Sequence, residues 1–281
     1  MSGTATGPLR IGNLLPPSFR DTYPVPPEVI GAGFESEVVA LAGEVSFINE
    51  LDRTIAGLHF VEAAMRAEAA GFAAVFLNTA GDYGIRQVRA AVGIPVVGAG
   101  QASYQIASGL GDRFGVLTVW PEVTRPMYLK LLADYGYADR CVGVRHVMTN
   151  DELAAVAENG GFVSDMTSKR EATLSRLVQA AADLIDQGAD AIALGCTCMG
   201  GVADELHRRT GYPMVDPLVA AHKTAEMLVT MRLSHRTAPV PAGFAGSVAA
   251  MLSGASSDTR ALDICGDTCS IVAEPATASR P

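Results

Sequence analysis

The chain has 281 residues, 49% of them hydrophobic and 18% charged, with a formal net charge of −9. This composition belongs to a packed globular protein of one or two domains and excludes a disordered chain. The acidic balance speaks against nucleic-acid binding, which needs clustered Lys and Arg, and no apolar run nears the ~20 residues of a membrane span.

Residues 1–8 (MSGTATGP) carry neither the basic nor the apolar segment of an export signal, so a cytoplasmic location is expected. Residues 9–17 (LRIGNLLPP) read as a buried strand that ends in prolines. A helical pattern over 60–70 (FVEAAMRAEAA) stops at a glycine and passes into a second apolar strand, 71–81 (GFAAVFLNTAG). A third strand follows at 93–100 (GIPVVGAG) and a fourth at 112–120 (DRFGVLTVW). The sequence then repeats itself. Residues 177–187 (LVQAAADLIDQ) are helical, 188–198 (GADAIALGCTC) match 71–81, and 211–218 (GYPMVDPL) match 93–100.

The offsets between matching segments are 117 and 118, whereas the first strand matches the fourth at 103. The difference requires an insertion in the second half, which we place at the Gly-rich, polar stretch 158–169. Buried strands alternating with helices predict parallel sheets with helices outside. The predicted fold is therefore α/β, with two pseudo-symmetric parallel-sheet lobes and an active site in the cleft between them. Residues 1–104 form the first lobe, completed by a returning helix at 218–235, and 105–217 form the second. Residues 236–281, rich in Ala, Ser, Gly, Thr and Pro, read as a loosely attached tail.

Ligands of such sheets bind at the carboxyl ends of the strands. Overlaying the halves at those ends sets Thr79 on Cys196, Asn78 on Gly195 and Ala80 on Thr197. A cysteine at a strand end, followed by the N–H groups of a turn, is a place where a thiolate can be stabilised. Five cysteines at these spacings form neither a disulfide framework nor a zinc site, and the five histidines are scattered, so no metal is expected. Asp82 reads as turn or cap chemistry, Asp216 as a buried hydrogen-bonding carboxylate, and Cys265 with Cys269 as an incidental pair in the tail.

With these residues in place, the sequence resembles the cofactor-independent aspartate/glutamate/hydantoin racemase superfamily, and its hydantoin and allantoin racemase branch above all. Residues 194–199 (LGCTCM) resemble the second-lobe motif L-G-C-T-x-M, whose catalytic cysteine falls on Cys196. Residues 78–84 (NTAGDYG) resemble the first-lobe run C-x-G-D-x-G, and 95–103 and 213–217 resemble the flanking strands. The resemblance covers residues 9–235. It implies two thiols facing a substrate α-carbon from opposite sides, one removing a proton and the other returning one.

This chain departs from that pattern at the first thiol, where Thr79 stands, or Leu77 if the run is aligned on the Cys-Asn-Thr-Ala of glutamate racemases. A threonine hydroxyl is too weak an acid to shuttle protons but donates well to an oxyanion. The resemblance thus implies an isomerase of the racemase or epimerase type with catalytic Cys196 and Thr79. Asn78, Ala80, Thr118, Thr197, Cys198 and Ser18 form the expected substrate-binding set, with Cys198 mainly filling space. The substrate would be a small carboxylate or cyclic amide, without cofactor, in an oligomer of identical chains. A one-cysteine decarboxylase or isomerase resembling arylmalonate decarboxylase is the second reading, and a non-catalytic small-acid-binding descendant the third.

Overall fold

The computed structural model describes residues 7–20, 24–153, 161–235 and 244–255. Among these residues eight strands form two four-stranded sheets, and every strand pair is parallel. The first sheet contains β1 (Leu9–Leu15), β2 (Phe34–Ala40), β3 (Ala74–Leu77) and β4 (Val96–Gly98), in the order β2-β1-β3-β4. The second repeats that order as β6-β5-β7-β8, with β5 (Phe114–Thr118), β6 (Cys141–His146), β7 (Ala191–Leu194) and β8 (Met214–Val215). The α/β architecture of two related lobes is the one the internal repeat predicts.

Strand register carries the repeat to single residues. Ile11 of β1 pairs with Ala74 of β3, and their counterparts Phe114 and Ala191 pair in the second sheet. Val75 pairs with Val96 just as Ile192 pairs with Met214. These partners reproduce the sequence offsets of 103, 117 and 118. Strands β3 and β7 are buried along their whole length, as parallel strands covered on both faces must be.

Helix α1 (Glu50–Ala69) starts ten residues before the helical pattern read from the sequence. Its start is set by a capping box in which the Asn49 side chain accepts from Asp52 N–H and Asp52 accepts from Asn49 N–H. Helices α2 (Ile85–Ala91) and α3 (Ala99–Gly109) follow β3 and β4. In the second lobe α4 (Arg125–Asp134) follows β5, and α5 (Gly161–Thr167) and α6 (Glu171–Asp186) lie between β6 and β7. The extra length of the second half therefore lies between β6 and α6, where 24 residues (147–170) replace the nine (41–49) between β2 and α1.

Helices α7 (Ala203–Thr210) and α8 (Pro217–Thr230) flank β8. Although α8 emerges from the second sheet, it packs on α3, β3 and β4. Helix α3, which emerges from the first sheet, packs on β7. Asp216 caps the N-terminus of α8, accepting from Leu218 N–H at 2.8 Å. The stretch read as a loose tail contains a further helix, α9 (Phe244–Ala255), which rests on α1 with Val248 and Leu252 buried. Spaced four apart, these two side chains share one face of the helix and supply the apolar contact that the composition hid. Cys265 and Cys269 lie outside the described residues. Among the described residues no helix is long and apolar enough to cross a membrane.

Candidate active site

The sheets present their carboxyl ends to one another. Beyond β3, Asn78 N–H donates to Leu14 C=O at 2.9 Å, and beyond β7, Gly195 N–H donates to Leu117 C=O at 2.7 Å. These are repeat-equivalent bonds, and they bring Thr79 and Cys196 into the lining of the same cavity. The cavity measures about 80 Å³ and receives residues from the ends of β1, β3, β5 and β7.

On the first-lobe side, the turn after β3 is shaped around Thr79. Its hydroxyl accepts from Gly81 N–H at 3.2 Å, and the phenol of Tyr83 stands near it. A Cβ on Gly81 would overlap the Tyr83 ring, so glycine there lets the phenol fold back toward Thr79. Burial pushes the Tyr83 phenol well above its usual range, and it remains a protonated donor. Asn78 is buried, yet neither Oδ1 nor Nδ2 has a hydrogen-bond partner. An unpaired buried carboxamide costs roughly 1–3 kcal/mol per group, and this one lines the cavity where a ligand can satisfy it.

Asp82, next along the turn, is fully committed elsewhere. Its carboxylate accepts from Gly100 N–H (2.9 Å) and Gln101 N–H (2.8 Å) at the start of α3 and from the Tyr135 hydroxyl (2.8 Å). Burial raises its pKa to about 6 despite those three donors. It is cap chemistry, and it does not line the cavity.

On the second-lobe side, Gly195 carries the chain past Thr118. A Cβ there would stand 2.7 Å from Thr118 Cβ. The Tyr128 hydroxyl donates to Gly195 C=O at 2.8 Å, so the 2.7 Å bond between Tyr128 and Thr118 is donated by the threonine. Thr118 Oγ1 also accepts from Trp120 N–H at 3.2 Å. The Thr118 hydroxyl thus ties β5, β7 and α4 together, and Thr118, expected on the substrate, is not among the residues lining the cavity. Ser18, also expected on the substrate, is likewise absent from that lining. Its N–H and hydroxyl both donate to Glu44, at 2.9 and 2.8 Å.

Cys196 is extended and stands at the N-terminus of a 3-10 turn, Thr197–Val202. The N–H of Cys198 donates to Cys196 Sγ at 3.3 Å. That donor and the turn's open N-terminus favour a thiolate at Cys196 in the reduced protein. In the structure the two sulfurs are joined as a disulfide, with Cα atoms 5.2 Å apart. Cys198, expected mainly to fill space, is the partner in that bond. Ala80, Thr197 and Cys198 all line the cavity beside Asn78, Thr79 and Cys196.

Much of the remaining lining was not singled out from the sequence. Phe47 and Val45 come from the connection between β2 and α1, Trp120 from the end of β5, and Met127 and Tyr128 from α4. Phe47 packs edge-on against Trp120 (4.7 Å between centroids) and lies parallel to Tyr83 (6.2 Å), touching both lobes at once. Three large apolar residues, Val45, Phe47 and Ile48, in the short run VSFINE were the available signal for Val45 and Phe47. Among the described residues no Asp, Glu, Lys, Arg or His lines the cavity. The charges lie across the 81–83 turn in a larger hollow of about 550 Å³, where Lys130 pairs with Asp134 (2.6 Å) and Arg53 with Glu50 (2.5 Å). That hollow contains no cysteine, so size alone does not make it the site. No group of three or more His, Cys, Asp or Glu among the described residues is arranged to hold a metal ion.

Residues 28–225 match the family described as Asp/Glu/Hydantoin racemase. The chain is 32% identical over 164 residues to a hydantoin racemase of Rhizobium meliloti, covering 58% of this chain and 63% of that protein. It is 29% identical over 201 residues to a hydantoin racemase of Pseudomonas sp. (strain NS671), covering 70% of this chain and 76% of the relative. Among solved structures, the allantoin racemase from Klebsiella pneumoniae shares the fold with a TM-score of 0.71 at 22% identity, over 81% of this chain and 90% of that one.

Proposed function

Because the chain belongs to the Asp/Glu/hydantoin racemase family, we propose that it moves a proton at the ring carbon beside a carbonyl of a small, neutral cyclic amide. The net reaction is racemisation or epimerisation. Cys196, in its reduced form, is the acid/base. The observation that carries the reading is the uncharged cavity that joins Cys196 of one lobe to Thr79 and the unpartnered carboxamide of Asn78 of the other.

The absence of a charged lining residue among those described favours a neutral ring over a carboxylate, whose buried charge would go uncompensated. A ring amide holds its N–H and C=O on one edge. That edge matches the acceptor Oδ1 and donor Nδ2 of a carboxamide such as Asn78. The aromatic lining from Phe47 and Trp120 suits an apolar substituent on the ring.

In this mechanism the Cys196 thiolate removes the proton, and the electron pair passes to the neighbouring carbonyl as an enolate. The developing oxyanion is held by donors set in advance, Asn78 Nδ2 and the hydroxyls of Thr79 and Tyr83. The opposite face of the ring carbon meets those hydroxyls and no thiol. Burial raises the phenol's pKa and makes it a weaker acid than a thiol, so proton exchange on the Cys196 face outpaces proton delivery to the other face, and inversion is the slower event. Side chains carry the whole proton transfer, so the reaction needs no cofactor.

The test is deuterium incorporation in heavy water, followed by NMR, with reduced protein and hydantoins bearing apolar ring substituents. Exchange at the ring carbon with interconversion of enantiomers is expected. Exchange with substituted malonates or other free carboxylates, and none with cyclic amides, would replace this reading with one-sided decarboxylase or isomerase chemistry. That alternative rests on the missing first thiol. A tightly bound hydantoin that never exchanges would instead indicate a non-catalytic binder.

A further inference from the structure

The turn that holds Cys196 contains a second thiol one residue away, and the backbone brings the two sulfurs together. In an extended strand, residues two apart stand about 6.7 Å from Cα to Cα. Here the chain bends sharply after Cys196, the Cys198 N–H closes onto Cys196 Sγ, and the Cα separation falls to 5.2 Å, within the range that a disulfide spans. Cys141, the remaining described cysteine, sits at the start of β6, and its thiol donates to Gly143 C=O at 3.3 Å. Cys198 is thus placed to react with Cys196 and is itself buried against the cavity.

We propose that Cys196 and Cys198 form an oxidative modification site in which Cys198 is the resolving thiol, so that peroxide reversibly removes the acid/base of the reaction proposed above. The chemistry proceeds in two balanced steps. The Cys196 thiolate attacks a peroxide oxygen, the O–O bond breaks, hydroxide or alkoxide leaves, and Cys196 becomes a sulfenic acid. The Cys198 sulfur then attacks the sulfenic sulfur, an S–S bond forms, and the S–OH oxygen leaves as water carrying the Cys198 proton. A dithiol reductant returns two electrons and two protons. In the joined state Cys196 has no proton to give and no basic lone pair to take one, while Asn78 and Thr79 keep their places. Closing the pair also shields Cys196 from the irreversible sulfinic acid.

The proposal is tested on the full chain, reduced with dithiothreitol, desalted and exposed to hydrogen peroxide. Remaining thiols are then capped with iodoacetamide, and the peptide bearing residues 196 and 198 is weighed. In the native protein that peptide is expected two hydrogens lighter than its reduced form and uncapped at both cysteines. Proton exchange should be lost with it, and both changes should reverse in dithiothreitol. In Cys198→Ser the same dose should drive Cys196 to sulfinic acid and leave a loss that dithiothreitol does not reverse. Cys196 remaining cappable, Cys196 linked to Cys141, Cys265 or Cys269, or a Cys198→Ser protein that recovers as the native one does would each overturn it. If the linked peptide forms and reverses while reduced native protein exchanges no cyclic amide, the modification site stands and the catalytic reading of Cys196 falls.

Discussion

The hydroxyl of Tyr135, beyond the last turn of α4, donates across the lobe boundary to the carboxylate of Asp82, 2.8 Å away. It thereby braces the turn that carries Thr79. Removing the donor by Tyr135→Phe should cost about 1.5–3 kcal/mol, the range for a hydrogen bond to a charged group, read as a lower urea midpoint.

The same carboxylate imposes a pH dependence. Burial raises Asp82 to about 6 from an ordinary 3.8, so the folded state holds a proton that the unfolded chain has released. Stability should therefore fall as pH rises from about 4 to about 6, by at most about 3 kcal/mol from this group. Asp82→Asn should flatten the slope of unfolding free energy in that window. An unchanged slope would show that the carboxyl does not titrate there.

Cys196→Ala should lose ring-carbon exchange by at least about 100-fold under reducing conditions, because alanine neither gives nor takes a proton. Its circular dichroism should match the native protein. Retained exchange would move the acid/base to another side chain.

At Thr79 the hydroxyl is expected to matter and the methyl group to matter little. Thr79→Ser should keep most of the activity, whereas Thr79→Val should lower kcat by about 10–1,000-fold through loss of an oxyanion donor. Thr79→Cys places a thiol on the face that lacks one and should raise the rate of racemisation relative to that of proton exchange. Chiral chromatography of the product reads this directly.

Asn78→Leu fills the same space without donor or acceptor. We expect KM for a cyclic amide to rise by about 10-fold, the equivalent of one unmade pair of neutral hydrogen bonds. Because Leu leaves no buried polar group unpaired, the thermal midpoint should hold or rise. An unchanged KM with a lower thermal midpoint would make Asn78 a structural residue.

Much of this was legible in the sequence, and the reason is register. Parallel strands pair residue by residue, so a duplicated sheet keeps fixed offsets, and Ile11, Ala74 and Val96 lead to Phe114, Ala191 and Met214. The positions of Thr79 and Cys196 at matching strand ends followed from those offsets alone. The start of α1 did not, because its first turns are set by the polar capping pair Asn49 and Asp52, which has no apolar periodicity. Nor did the hydrogen bonds of Thr118 and Ser18. Their partners, Tyr128 on α4 and Glu44 on the connection after β2, come from other elements, and sequence spacing carries no trace of such meetings. The aromatic wall around Phe47 and Trp120 escaped for the same reason, since it arises only when the lobes are apposed.

The exchange of α3 and α8 between the sheets bears on how the molecule comes apart. Each sheet is covered on one face by a helix that the other half of the chain provides. Cut from its partner, either half would uncover that face and also strand the apolar side of a helix with nothing to rest on. Neither half is then a self-sufficient folding unit, despite the internal duplication. Unfolding in denaturant should show one transition by every probe, and separately produced halves should be insoluble alone yet soluble when refolded together.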